Sequence, residues 1–261
     1  MSFNLNRIYN FDGSTPFVNP VTGQSDLSEM FYNGKFLNYD QITNSGVAPW
    51  ITKVNDGGAQ ATRFQVNPTD AQIYSWRSQM SSFPGVLYKH YRSEFEFKLD
   101  PSWDMNMGMP GYGIIAQSQS ASKPGQANSA HNLNIRNNIL RFEMMYPKAA
   151  LSATTWPTNL TWTNADYAPT NFQDRTITSG RYYKVRMEYF ADDRPPQFGG
   201  QGYMNIWLDD VLWIQYIGPT MFPDQLNNGD WRYDFGWYNW GGQPTSSRNI
   251  YFKTSHVYVR P

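Results

Sequence analysis

From Arg92 to Leu99 the chain reads Arg-Ser-Glu-Phe-Glu-Phe-Lys-Leu, polar and apolar residues taking strict turns. A period of two belongs to a β-strand, so Arg92, Glu94 and Glu96 share one face while Phe95, Phe97 and Leu99 share the other. Carried back to Tyr88, the same period puts His90 on the face of Arg92. A strand that buries aromatics and displays an arginine with carboxylates reads as the floor of a polar groove. Two later stretches repeat the arrangement. In Ile114 to Gln119 the two glutamines, Gln117 and Gln119, fall on one face. In Tyr233 to Trp240 the residues Asp234, Gly236, Tyr238 and Trp240 do so. The expectation is that these three strands assemble one site.

The chain is 261 residues long and contains no segment that reads as a linker, which fits one large all-β domain over 1–261, its first 50 residues forming an irregular arm of short strands and long loops. Lys and Arg number 21 and Asp and Glu 21, so no basic field attracts nucleic acid. No apolar run reaches the length of a membrane span. Aromatic residues make up 17% and charged residues only 16%, a balance that suits pleated, half-buried surfaces and stacking platforms for sugar rings. There is no cysteine, which removes disulfides, thiolate metal sites and a cysteine nucleophile. Met1 to Arg7 lacks the apolar stretch of an export signal; the expectation is a protein made in the cytoplasm that meets the outside in a virion or by lysis.

In chain order, Asp56-Gly57-Gly58 separates two short strands as a hairpin turn, and Thr69 to Met80 reads as a helix of about three turns capped by Thr69 or Asp70. Ser118 to Ser129, a Ser/Gly/Lys/Pro/Asn stretch beside the glutamines, reads as a mobile loop or lid. Asn137-Asn138 and Asp209-Asp210 are further hairpin turns. Residues 147 to 176 read as a long excursion whose Trp156 and Trp162 could flank a groove. Val211 to Ile217, apolar on both faces, reads as a strand deep in the fold. Ile250 to Val259 is the last strand. Many strands and frequent turn signals predict an antiparallel β-sandwich.

Arg-Ser-Glu-Phe, then Ile-Ala-Gln-x-Gln, then a Trp-Leu-Asp-Asp hairpin, then Gly-Trp-Tyr-Asn resembles, in content and order, the jelly-roll polysaccharide lyases of the alginate-lyase, glucuronan-lyase and heparin-lyase-I type. The resemblance covers residue 60 to the end. It implies a concanavalin A-like jelly roll with a polysaccharide held in a concave groove. It also implies that Arg92 and Gln117 neutralise a uronate carboxylate, while Tyr238 removes the C5 proton and protonates the leaving oxygen in a β-elimination that needs no obligatory cofactor. Gln119, Glu94, His90, Asn239 and Trp240 then line the substrate. Three positions depart from the pattern: Gln119 stands where the family has histidine, Asp234 where it has lysine, and Glu96 where it has a second arginine. Each change removes a positive or positive-capable group; losing one such donor costs on the order of 100-fold in rate. His90 and His131 are the candidate substitutes.

Three other readings stand beside elimination. A non-catalytic virion component, as capsid decoration or tail protein that self-assembles, suits a chain without leader or cysteine. A glycosidase would use Glu94 and Glu96 with Asp234. A structural Ca²⁺ could sit on the turn aspartates Asp192, Asp193, Asp209 and Asp210.

Overall fold

Phe95 meets Phe235 edge to face across 5.2 Å, and the two rings belong to different sheets. The computed structural model describes residues 4–9, 30–32, 35–37, 51–68, 77–82, 90–103, 112–123, 126–146, 151–155, 166–167, 172–221, 231–238, 244–253 and 255–260. Sheet I runs β15 (Val211–Ile217), β14 (Tyr203–Leu208), β13 (Tyr182–Phe190), β7 (His90–Leu99), β17 (Arg248–Phe252), β5 (Ala59–Val66), β4 (Ile51–Asp56). Along β7, β18 (Ser255–Arg260) succeeds β17 as neighbour, and it carries β1 (Asn4–Tyr9) on its other side. Sheet II runs β11 (Asp166–Tyr167), β10 (Ile139–Tyr146), β9 (Gln126–Arg136), β8 (Tyr112–Lys123), β16 (Trp231–Tyr238), β6 (Arg77–Ser82), β2 (Met30–Tyr32), β3 (Lys35–Leu37), with β12 (Arg175–Thr176) also on β10. The pairs are antiparallel, and the result is a jelly-roll sandwich. No helix among the described residues is long and apolar enough to cross a membrane.

The core lies between the sheets because each strand alternates. β7 sends Phe95 and Phe97 inward to Phe235, Phe252 and Tyr183 and turns Arg92, Glu94 and Glu96 outward. On sheet II, Leu133, Ile135, Phe142, Met144 and Trp237 face the same interior. Hairpin turns fall where the sequence places them: Asp209 and Asp210 both adopt positive φ, 52° and 63°, and Asn137 has φ 55°, matching the twist of the strands they join.

Four expectations are corrected. Residues 77–80, read as the end of a helix, are strand β6, because pairing with β16 and with β2 outweighs a weak local helix preference; 69–76 lie outside the described residues. The expected lid at 118–129 is instead a continuation of the β8–β9 ladder, with Gln119 opposite Ser129 and Lys123 opposite Gln126. β15 ends sheet I rather than lying deep in it, and Val211 and Ile217 are 65% and 72% exposed. The last strand breaks into β17 and β18, both alongside β7.

Candidate functional site

The outer face of sheet II is polar across its middle strands, and register lines its residues into two rows. In the first, Ser81 on β6 stands opposite Asp234 on β16, Asp234 opposite Gln117 on β8, Gln117 opposite Asn132 on β9, and Asn132 opposite Glu143 on β10. In the second row, Arg77 stands opposite Tyr238, Tyr238 opposite Ile114, Ile114 opposite Asn134, and Asn134 opposite Arg141. Directly opposed positions of an antiparallel ladder share a face, so each row is one stripe crossing five strands, about 19 Å at the usual strand spacing.

Irregularities set the distance between the rows. The β16–β8 register shifts between Phe235 and Tyr238, where Gly236 has φ 132°. β8 shifts against β9 between Ile114 and Ala116, which lets both Ile115 and Ala116 enter the core while Gln117 faces out. Gly113 is fixed by close approach: a Cβ there would lie 2.3 Å from the Trp237 ring and 2.7 Å from the Tyr238 carbonyl oxygen. This backbone contact seats the Tyr238 end of β16.

In the first row Gln117 Nε2 donates to Asp234 Oδ2 at 2.7 Å, and both side chains are buried. A buried amide–carboxylate bond of this kind is charge-assisted and strong. It commits one of the two Gln117 amide hydrogens to an acidic neighbour. Asn134 is 0% exposed with neither amide atom hydrogen-bonded, and Asn132 Oδ1 is likewise buried without a partner. Tyr238, Asn132, Glu143 and Arg141 keep some exposure, and Arg141 is held by two bonds to Asp174, 2.9 and 2.6 Å.

Arg92, Glu94 and His90 do not join this face. They lie on the outer side of sheet I, separated from sheet II by the layer containing Phe95, which corrects the expectation of one site from three strands. The alternation of β7 is as read; its partner sheet is not visible in it. There Arg92 pairs with Glu94, Nε donating at 2.7 Å, and its guanidinium lies 5.1 Å from the Tyr258 ring centre. Glu96 accepts from Lys253 at 2.8 Å. Asp234 is therefore not assembled with Glu94 and Glu96 as a glycosidase would need: those two stay together on the outer face of sheet I, paired with Arg92 and Lys253, and Asp234 is on sheet II. His90 packs edge to face on Phe190 at 4.5 Å, and burial with the nearby Arg260 charge holds its pKa below the usual histidine value. His131 faces the interior, against Tyr189 and Phe142, and is no substitute catalytic group on the polar face. Gln119 is opposite Arg232 in the ladder; Asn239, Trp240, Trp156 and Trp162 lie outside the described residues.

The turn aspartates are engaged by protein donors. Asp192 accepts from the backbone N–H groups of Arg194 and Gln201, Asp209 from Lys184 N–H and Arg181, and Asp210 from Lys184 Nζ. No cluster of three or more His, Cys, Asp or Glu side chains able to hold a metal ion occurs among the described residues.

Arg77, Asn132 and Asn134 are the residues that sequence reading missed. The asparagines were readable: His131-Asn-Leu-Asn-Ile135 alternates, with Leu133 and Ile135 inside. Arg77-Ser78 repeats the dipeptide Arg92-Ser93 inside the stretch taken as helix.

Two stacked antiparallel sheets in this order, with a polar stripe across one of them, make a jelly-roll sandwich. Among solved structures the chain is similar to an endo-β-1,4-glucuronan lyase from the fungus Trichoderma reesei, with TM-score 0.57 and 15% identity over 82% of this chain and 92% of that one. It is also similar to an alginate lyase solved with alginate tetrasaccharide, with TM-score 0.56 and 11% identity over 98% of each chain. No family model matches the sequence, and no curated protein does. At these identities the likeness establishes the fold.

Proposed function

We infer that this chain binds a polysaccharide across the strands of sheet II. The observation that carries this reading is the row Ser81–Asp234–Gln117–Asn132–Glu143, polar on five successive strands. A stripe of amides and carboxylates suits sugar hydroxyls, which donate and accept at once. The two lyases of similar fold are named for glucuronan and alginate, which supports a glycan as the partner. Calorimetric titration with a polysaccharide panel tests it; a folded protein that binds no member would overturn it.

A second reading, elimination, is favoured by one observation: Arg77 stands directly opposite Tyr238, which brings an arginine position beside the candidate base. It supplies at Arg77 the neutralising role expected of Arg92. Against it, Gln117 is bonded to Asp234, so the donor expected to face a uronate carboxylate has an anion beside it. Recognition is therefore the better supported activity, and cleavage is expected to be absent or slow. Incubation with alginate and glucuronan should give no rise in the ultraviolet absorbance of unsaturated uronate. A rise that disappears in Tyr238→Phe would instead establish elimination.

A further inference from the structure

We propose that Asp234, Gln117, Asn132 and Asn134 form a subsite for the hydroxyls of a neutral sugar residue, not for a uronate carboxylate. This rests on the polysaccharide-binding reading. The Asn134 side chain is wholly buried, and neither its carbonyl oxygen nor its amide nitrogen has a partner. Buried polar groups in native proteins are satisfied as a rule, and an amide left unmet on both sides calls for a group that donates and accepts. A hydroxyl does both. A carboxylate only accepts, so it would meet the nitrogen of Asn134 and leave the oxygen unmet.

The neighbours point the same way. Asn132, two residues back on the same face, also presents a buried carbonyl oxygen with no donor. Gln117, directly opposite Asn132, gives one of its amide hydrogens to Asp234. The stripe is thus rich in acceptors, and Asp234 contributes a carboxylate where a second carboxylate would be repelled. Arg92, the cation that the sequence offers for neutralising a uronate, is on the opposite sheet; of the arginine positions in the two rows on sheet II, Arg141, opposite Asn134, is bonded to Asp174, and Arg77 stands opposite Tyr238 rather than in the row of Asp234.

The test is calorimetric titration of the full chain with neutral tetrasaccharides (β-glucan, mannan, galactan and xylan) and with alginate and glucuronan tetrasaccharides. At least one neutral ligand should bind ten-fold or more tightly than both uronates. Asn134→Leu, which replaces both unmet groups by an apolar side chain of similar size, should weaken that ligand at least ten-fold without lowering Tm. Asp234→Asn should narrow the preference by improving uronate binding. Tighter binding of a uronate than of every neutral ligand overturns the subsite while leaving the polysaccharide reading intact. So does unchanged neutral-sugar affinity in folded Asn134→Leu, which would assign Asn134 a purely structural role. Absence of binding to both groups overturns the polysaccharide reading itself.

Discussion

Replacing Phe95 by alanine is expected to lower the free energy of unfolding by about 3–5 kcal/mol, the range for truncating a buried phenylalanine. Phe95 is 2% exposed and touches Phe97 and Phe252 in its own sheet and Phe235 in the other. Its loss opens a cavity at the junction of the two sheets, where strands on both sides are fixed by their ladders and collapse poorly. The neighbouring change Glu96→Ala removes an outward ion pair with Lys253, both side chains about a third exposed, and should cost no more than about 1 kcal/mol. Urea unfolding of the two variants reads the facing of β7 directly. Comparable losses would mean that the strand does not present these faces as described.

Acid should destabilise the fold through His131 well before the carboxylates titrate. Its Nε2 lies 3.0 Å from the Thr220 carbonyl oxygen, to which it must donate, and its Nδ1 lies 2.7 Å from Ser118 Oγ, which leaves the neutral ring satisfied. Burial pushes its pKa down to about 4, while the Thr220 carbonyl pulls weakly the other way. In the unfolded chain the ring titrates near 6.5, so between pH 6.5 and 4 the unfolded state takes up a proton that the folded state refuses. Stability is therefore full above pH 6.5 and falls as pH drops towards 4, by about 3 kcal/mol in all. Below pH 4 the folded ring is protonated as well and the loss levels off. Unfolding free energies measured from pH 7 to 4 should show this slope reduced by that amount in His131→Gln. An equal slope in both proteins would place the acid sensitivity elsewhere; His90, whose pKa is also lowered, remains in the variant and contributes with the same sign.

How far the sequence carries can be argued from single residues. Period-two patterning marks β7, β13 and β9, since a half-buried strand writes its facing into every second residue. Turn chemistry marks Asn137 and Asp209-Asp210, since those residue types tolerate positive φ. Which sheet a strand joins is not a local property. Arg92 and Gln117 carry similar local patterns and lie on opposite sheets, because the partners of β7 are β13, β17 and β18, up to about 170 residues away in sequence. Arg77 was hidden for a related reason: β6 is held by β16 and β2, and nothing within its own six residues declares a strand. Val211 and Ile217 illustrate the limit of hydrophobicity as a guide to depth, since an edge strand can carry apolar residues on its exposed side.

The most direct measurement compares polysaccharide affinity of the wild-type chain with that of variants on the two outer faces, Asp234→Ala on sheet II and Arg92→Ala on sheet I. Loss of ten-fold or more in affinity for Asp234→Ala, with Arg92→Ala within about two-fold of wild type, is the predicted result, because removing the partner of buried Gln117 breaks the row. Full affinity in folded Asp234→Ala with loss in Arg92→Ala would put the glycan on sheet I and contradict the account.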